Sequence, residues 1–444
     1  MSTPQAGRAA LVVQARTAAT LALLTAVLPL NAAVTAVAGV RALVSCAERG
    51  RPDRPRTVLI SGGKMTKALQ LARSFHRAGH RVVLVESGKY RLTGHRFSNA
   101  VDAFHTVPKP DDPGYADALL RIVQLEKVDV YVPVCSPAAS YYDALAKPVL
   151  EPYCEVLHGD ADVIAALDDK QRFAETAASF GLPVPDSHRV TAAKEVEEFD
   201  FAGGRPPYIL KSIPYDPVHR LDLTPLPRDT PARTAEFARS KPMTPETPWI
   251  MQSFVPGQEY CTHSTVRDGR VQVFACCESS AFQINYEMVD KPAMAEWVST
   301  FVGALGITGQ VSFDFIEDAD GEVYAIECNP RTHSAITMFY DEPALASAYL
   351  DDVVGPPLVP TARSRPTYWI YHEVWRLVTE PNRAARLRTI LRGKDAIFDW
   401  HDPLPFLLEH HLQIPWLLLQ SLRQGKDWIR IDFNIGKLVE QAGD

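Results

Sequence analysis

The chain has 444 residues, 46% of them hydrophobic, and a formal net charge of −7, enough apolar material for two or three cooperative cores. The mild negative charge excludes the broad basic field that condenses onto phosphate backbones, so nucleic acid is not an expected partner. Seven cysteines, an odd number with no C-x-x-C spacing, signal neither a zinc cage nor a full set of disulfides, and a reducing cytoplasmic interior fits best.

The amino end is the exception to this soluble character. No charged residue occurs between Thr17 and Val40, and Arg16 and Arg41 flank the run, whose length suits a spanning helix of roughly 20 residues. It is built largely of Ala, Thr and Val and contains Pro29 and Asn31, which weaken both hydropathy and helix continuity. A membrane-associated helix or hairpin through residues 17–40 is preferred to a buried or disordered leader and to a cleaved signal. GRPDRP, 50–55, is a hydrophilic linker.

RTVLISGGKMTKALQLARSFHRAGHRVVLVES, 56–87, spells strand, Gly-containing turn, helix and strand. A strand at Phe104–Val107, a helix near Tyr115–Glu126 and the strand VDVYVPV, 128–134, extend this βαβ unit into a doubly wound, Rossmann-like sheet. Ligands of such sheets sit at the carboxyl ends of strands, here Ser61-Gly62-Gly63-Lys64 and Cys135-Ser136-Pro137. SGGK lacks the spacing of a phosphate-loop motif, so a tight turn with an exposed lysine and a substrate-facing loop stay open as alternatives.

Helical patterns follow in DADVIAALDDK and QRFAETAASFG, and then PYILKS, 207–212. A Pro-rich loop without hydrophobic period, 213–246, leads to WIMQSFV and to a hairpin turning at Asp268-Gly269. A helix from Pro292 to Leu305 and a last strand pair joined by Asp320-Gly321 complete an α+β unit. Beyond it, EVWRLV, RAARLRTIL and LLEHHL are helical, and IRIDFNI is strand-like. The apolar stripes of EVWRLV and LLEHHLQIPWLLLQSL suggest packing on the core or on a second subunit. The expected divisions are 1–54, leader and linker; 55–158, Rossmann-like domain; 159–345, α+β domain; and 346–444, a helical carboxyl extension.

The last strand runs YAIECNPR, placing Glu327, Asn329 and Arg331 on alternate positions, hence on one face of an extended chain. Across the Asp320-Gly321 turn, Asp314 can lie opposite the glutamate. Two facing carboxylates need neutralisation by a proton or a metal, and this oxygen set suits magnesium; a hairpin with solvated acids is the alternative. Lys211, between apolar neighbours, and Lys170, opening a helix, could be drawn in by an anion, although each alone is more often a surface charge. In WIMQSFVPGQE the Val255 main chain could bond an adenine edge and Glu259 could accept from ribose hydroxyls.

The order Lys170, Lys211, QSFVPGQE, DFIEDADG, ECNPR resembles the ATP-grasp superfamily over roughly residues 55–345. The resemblance implies an ATP-dependent ligase fold with a preceding substrate domain, using ATP and magnesium or manganese. Position by position, Lys170 and Lys211 are similar to the phosphate lysines, Gln252 and Val255 to the adenine hinge, and Glu259 to the ribose carboxylate. Asp314, Glu327 and Asn329 match the family's metal ligands, and Arg331 the arginine that steadies the transferred phosphate or substrate anion. Ser61, Gly62, Gly63, Lys64, Ser136, Glu278, Ser279, Ser280, Thr332, His333 and Ser334 are candidates for the acceptor pocket; His333 is equally a structural histidine, and the CESS serines equally a strand end. Gln252 stands where many members are acidic, and the phosphate cover SIPYDPVHRLDLTPLPRDTP has no glycine, leaving His219 or Arg220 to close over the phosphates.

Longer blocks, among them GGKMTKALQLARSFHRAGH, LKSIPYDPVHRLDLTPLP and ECNPRTHSAITMFY, look like the ATP-grasp ligases of mycosporine biosynthesis, the mycosporine-glycine synthetases, and their carbamoyl-phosphate-synthase-like relatives. That likeness implies condensation of glycine with phosphorylated 4-deoxygadusol, releasing ADP and phosphate. A carboxylate–amine ligase working through an acyl phosphate and, from another class, a membrane-tethered nucleotide-binding regulator are the alternatives.

Overall fold

A computed structural model describes residues 4–44, 49–134, 136, 139–201, 206–214, 219, 222–279 and 285–440. Cys46, Cys135, Pro137, Arg220 and Ser280 lie outside the described residues. The chain divides into two compact units, one formed by Met1–His158, Ile284–Met288 and Thr332–Asp444, the other by Gly159–Gln283 and Val289–Arg331.

The first unit begins with one unbroken helix, α1 (Pro4–Val44), which runs through Pro29 rather than breaking or turning back there. Its buried positions include Thr17, Leu24, Thr35 and Ala38, and its polar groups are contacts rather than interruptions. Arg16 lies 4.1 Å over the Trp428 ring, Trp428 Nε1 donates to Thr17 Oγ1 at 3.0 Å, and Asn31 Nδ2 donates to Tyr371 at 2.6 Å. Asn31, expected to weaken the leader, fixes it. Among the described residues α1 contains the stretch long and apolar enough to cross a membrane, Val13–Val44.

There follow β1 (Thr57–Ile60), α2 (Thr66–Arg77), β2 (Arg81–Ser87), β3 (Ala103–Val107), α3 (Tyr115–Glu126), β4 (Val130–Val132), α4 (Ser140–Leu150) and β5 (Glu155–Val156). The strands form a wholly parallel sheet of order β3-β2-β1-β4-β5. β1 and β2 are apolar on both faces because both faces are covered, so Val58, Leu59, Val82 and Val83 are all buried. The turn after β1 fits only glycine at 62: φ is +67° and a Cβ would stand 1.9 Å from the Val134 carbonyl.

The second unit carries α5 (Ala161–Asp168), α6 (Lys170–Ser179), β6 (Ser187–Val190), α7 (Ala193–Glu197), β7 (Tyr208–Ser212), α8 (Pro231–Arg239), β8 (Trp249–Ser253), β9 (Gln258–Arg267) and β10 (Arg270–Glu278). After β11 (Asn285–Tyr286), which belongs to the first unit, come α9 (Pro292–Leu305), β12 (Gly309–Glu317) and β13 (Val323–Asn329). Two antiparallel sheets result, β6-β8-β7 and β10-β9-β12-β13. Helix α8 corrects the expectation of a structureless loop over 213–246. Its local signals are Thr230, whose side chain accepts from Arg233 N, and Pro231 in the first turn, a cap and a residue suited to a helix start.

The chain then returns to the first unit with α10 (Leu345–Leu350), β14 (Thr367–Tyr368), α11 (Ile370–Thr379), α12 (Arg383–Arg392), β15 (Lys394–Asp395), α13 (Leu404–Leu408), a π-turn (Glu409–Gln413), α14 (Ile414–Gln424), β16 (Arg430–Asp432) and β17 (Lys437–Val439). Ile414, Leu417 and Leu418 are buried as their stripe suggested. The EVWRLV stripe is not: Val374, Trp375 and Val378 are exposed, which corrects the packing on the core of this chain expected of them.

Polar anchors secure the returning segment within this unit. Arg73 Nε meets Asp402 Oδ2 at 2.8 Å with both side chains buried, and Ser98 donates to the same oxygen at 2.6 Å. Glu409 is fully buried; its Oε2 accepts from Gly94 N at 2.9 Å and from Thr93 Oγ1 at 3.2 Å, while Oε1 has no partner among the described residues. Burial, outweighing those donors, pushes its carboxyl up to about 7. An acid with a raised folded pKa contributes most stability below its unfolded value, and that contribution declines as pH rises through the folded one. Glu409→Gln is therefore expected to flatten the fall in thermal midpoint between about pH 5 and about pH 8. Scanning fluorimetry across that range checks it, and a slope equal to the wild type's counts against it.

Candidate active site

The site is founded on the β12–β13 hairpin of the second unit. Phe313 and Phe315 are fully buried and, with Trp297 and Phe301 of α9 and Phe173 of α6, form an aromatic cluster in which Trp297 and Phe301 stack at 5.2 Å. Strand alternation then turns Asp314, between the two phenylalanines, to the opposite face. Asp314 is directly paired with Glu327, and Ser312 with Asn329. The register slips immediately after Asp314, because Phe315 pairs with Ala325 and leaves Ile326 as an extra residue; such bulges re-aim side chains next to functional sites. Asn329 Nδ2 donates to Asp314 Oδ2 at 3.3 Å.

Three cations serve this pair from separate elements. Lys170 Nζ lies 3.4 Å from Glu327 Oε2. It is the first residue of α6, whose cap Asp169 accepts from Gln171 N and Arg172 N; a cation at a helix N-terminus opposes the helix dipole, so the glutamate offsets that placement. Lys211, on β7, donates to Gln252 Oε1 at 3.1 Å. Arg331 follows the strand after Pro330; its N–H bonds the Asn329 carbonyl at 2.8 Å, and its guanidinium makes no ion pair among the described residues.

The charges act on one another. Burial, followed by the negative charges of Glu327 and Glu259, pushes the Asp314 carboxyl up to about 7. Burial also opposes ionisation of Glu327, but Lys170, Lys211 and Arg331 outweigh it and hold that carboxyl below its usual range. Burial lowers the Lys211 ammonium, with Glu327 acting against it. Asp168, unnoticed in the sequence although it begins the run Asp168-Asp169-Lys170, is raised by burial and lowered by Arg331 and Lys170, which places it in the same field.

Among the described residues no three His, Cys, Asp or Glu side chains converge on one cation. The hairpin instead offers two carboxylates and an amide oxygen, an all-oxygen set of the kind magnesium takes when water and phosphate complete its shell. Burial and then the negative charges of Glu327 and Glu259 raise Asp314, and a divalent cation beside these oxygens would oppose that shift.

The expected hinge lies where β8 leaves its sheet. Gln252 is buried, its Oε1 accepting from Lys211 and its Nε2 donating to Ser187 Oγ at 3.4 Å. Ser187 was not foreseen, since nothing local marks it before the pairing of Ser187 with Gln252 across β6 and β8. The Val255 main chain makes no hydrogen bond among the described residues. Glu259 Oε1 accepts from Ser279 Oγ at 3.2 Å, and Ser279 N donates to the Glu259 carbonyl at 2.9 Å.

The second unit thus gathers Lys170, Lys211, Gln252, Glu259, Ser279, Asp314, Glu327, Asn329 and Arg331. Glu278 is exposed and pairs with Tyr260, so it faces away from Asp314's side of the sheet. Val255 and His219 also belong to the second unit, whereas the remaining acceptor-pocket candidates among the described residues belong to the first. Lys64, expected to be exposed if SGGK were merely a turn, is buried with Nζ 3.6 Å from Glu86 and 4.3 Å from the Tyr90 ring centre. Ser61 Oγ accepts from Val134 N, Gly63 N donates to the Val85 carbonyl, and Ser136 stands in the connection that follows β4, its carbonyl accepting from Ala139 N. His333 caps a 3-10 turn, Nδ1 accepting from Ala335 N, and its ring meets Tyr286 edge-on at 5.3 Å. Cys154, Cys261, Cys276, Cys277 and Cys328 are buried free thiols, and burial raises Cys154, Cys276 and Cys328 above the ordinary range, as suits packing rather than nucleophiles.

Ser279 holds the carboxylate expected at the ribose. Removing one such hydrogen bond costs about 1 kcal/mol, so Ser279→Ala is expected to weaken ADP binding by roughly fivefold, with titration calorimetry as the check.

No family model matches the chain. Over 197 residues it is 25% identical to the carbamoyl phosphate synthase large chain of Vibrio cholerae, covering 40% of this chain and 17% of that protein. Over 213 residues it is 24% identical to the C-terminal section of the same large chain in Methanopyrus kandleri, covering 43% and 38%. The chain therefore spans well under half the length of these curated relatives. Among solved structures it is similar to N5-carboxyaminoimidazole synthetase from Staphylococcus aureus complexed with ADP, with 17% identity, 71% and 82% coverage of this chain and that one, and a TM-score of 0.51. N5-carboxyaminoimidazole synthase from Aspergillus clavatus gives 14% identity, 70% and 80% coverage and a TM-score of 0.52. With its parallel-sheet first unit, its long apolar amino-terminal helix and the two antiparallel sheets of its second unit, the chain has the ATP-grasp fold.

Proposed function

We propose that this protein is an ATP-dependent ligase that joins an amine to a phosphorylated oxygen electrophile. The observation that carries this reading is the direct pairing of Asp314 with Glu327 inside a field of three cations, Lys170, Lys211 and Arg331. A protein that only bound nucleotide would have little use for so concentrated and costly a charge arrangement.

In this reading the adenine edge meets the Val255 main chain and the ribose meets Glu259, held by Ser279. Lys170 and Lys211 neutralise phosphate charge, and Arg331, a planar fork without an ion-pair partner among the described residues, steadies the oxygen that receives the phosphoryl group. Asp314, Glu327 and Asn329 would hold magnesium or manganese, which when bound supplies charge neutralisation on the phosphates. The chain's contribution is positioning and electrostatics.

The substrates we favour are 4-deoxygadusol and glycine. The enol oxygen takes the phosphoryl group, the amine forms a C–N bond at the ring carbon, and the C–O bond breaks to release phosphate. The blocks resembling the mycosporine-glycine synthetases support this choice. The exposed uncharged face of α1 supports a membrane-associated location through residues 17–40.

Incubation with MgATP, 4-deoxygadusol and glycine should give ADP only when both acceptor and amine are present, with mycosporine-glycine identified by mass. ADP formed equally without either overturns the ligase reading. A condensed product obtained with a carboxylate acceptor and not with the cyclohexenone replaces the substrate assignment by acyl-phosphate ligation. Glu327→Gln should lower turnover on the order of 100-fold or more with its circular dichroism unchanged.

A further inference from the structure

The pair α11–α12 presents a surface that none of the foregoing uses. On α11, Val374, Trp375 and Val378 are exposed on one arc, Trp375 at 66%. No residue of α12 is buried. At helical spacing, exposed Leu387 and Leu391 run down the middle of its outer arc, with Arg383 on one border and Arg388 and Arg392 on the other. The stretch Val374–Arg392 holds five arginines and one glutamate, a net charge of +4 within a chain of −7. Glu380 is already bonded to Arg376 and Arg386. Arg383, Arg388 and Arg392 have no acidic partner among the described residues.

On α12 an apolar stripe bordered by arginines without an acidic partner among the described residues matches the layering of a bilayer surface. The leucines reach the acyl boundary while the guanidinium groups stay among phosphate headgroups. The same unit also exposes the uncharged face of α1, including Leu23, Leu30 and Val37. We propose that the α11–α12 hairpin is a docking surface for a bilayer rich in anionic phospholipid, distinct from residues 17–40 and independent of the catalytic reading.

Co-sedimentation of the full chain with phosphatidylcholine vesicles, and with vesicles also containing phosphatidylglycerol, tests it. The wild type should partition more strongly onto the anionic vesicles and release with salt. Arg383→Glu combined with Arg388→Glu and Arg392→Glu should weaken that partitioning on the order of 100-fold. Thermal midpoint and ADP binding should stay unchanged, because all three side chains are exposed. Trp375→Ala, which leaves the charge intact, should weaken binding to the anionic vesicles by roughly tenfold. Equal binding to neutral and anionic vesicles, or no binding to either, overturns the proposal. So does wild-type partitioning of the triple variant, or its conversion of a dimer to a monomer, which would assign the surface to a second copy of the chain.

Discussion

Two carboxylates of one β-hairpin, Asp314 and Glu327, stand directly opposite each other, and much of the second unit is arranged around keeping them there. Their position follows from a packing constraint on the other face, because Phe313 and Phe315 must enter the aromatic cluster of α6 and α9 and so turn Asp314 outward. The repulsion is met by cations from three elements rather than by one neighbour. Lys170 comes from a helix start, Lys211 from a strand of the other sheet, and Arg331 from the turn after Pro330. The pair's two acids then diverge, Asp314 pushed up and Glu327 held down. Such divergence shows that the two acids sit in different environments, and a cation bound between them would be the largest local charge.

The first unit solves a different problem, how to hold a long carboxyl segment and a long amino-terminal helix together with a parallel sheet. Apolar burial accounts for part of it through Ile414, Leu417 and Leu418. Direction comes from buried polar contacts that tolerate few alternatives. Arg73 is matched to Asp402, Ser98 to the same carboxylate, Trp369 to Thr66, and Glu409 to the Thr93-Gly94 turn. Each would leave an unpaired polar group in the interior if its segment docked elsewhere. The helix α1 is fixed in the same way by Arg16, Thr17 and Asn31, and this explains why polar residues interrupt an otherwise membrane-like sequence.

How far the sequence spoke depended on how local the determining interaction was. The parallel strands and the helices at 115–126 and 292–305 were legible because β-branched runs and helical spacing carry their own period, whereas the expected facing of Asp314 and Glu327 is realised only through the bulge at Ile326. The helix at 231–239 was hidden by the prolines around it, although Thr230 and Pro231 mark its start. The continuity of α1 through Pro29 and the roles of Ser187 and Ser279 were not legible, since each depends on a partner distant in the chain or on an adjacent strand. EVWRLV failed in the opposite sense: its periodicity is helical, but the arc at 374, 375 and 378 meets no core.

Gln252 shows what such a non-local contact does to the chemistry. Its amide oxygen lies 3.1 Å from Lys211 Nζ, a distance at which a carboxylate would form an ion pair and cancel much of the ammonium's charge. An amide at that position aims the lysine without neutralising it. The orientation of the amide is itself secured, because its nitrogen is occupied by Ser187 on the neighbouring strand. Burial lowers the basicity of Lys211, and the negative charge of Glu327, followed by Glu259 and Asp314, opposes that without reversing it. An acid at 252 would compete with phosphate oxygens for this lysine and add to the negative charges of Glu327 and Glu259, which after burial raise Asp314. The neutral side chain at 252 is thus consistent with the hairpin acids: it leaves the lysine's positive charge directed at the anion the site is built to receive.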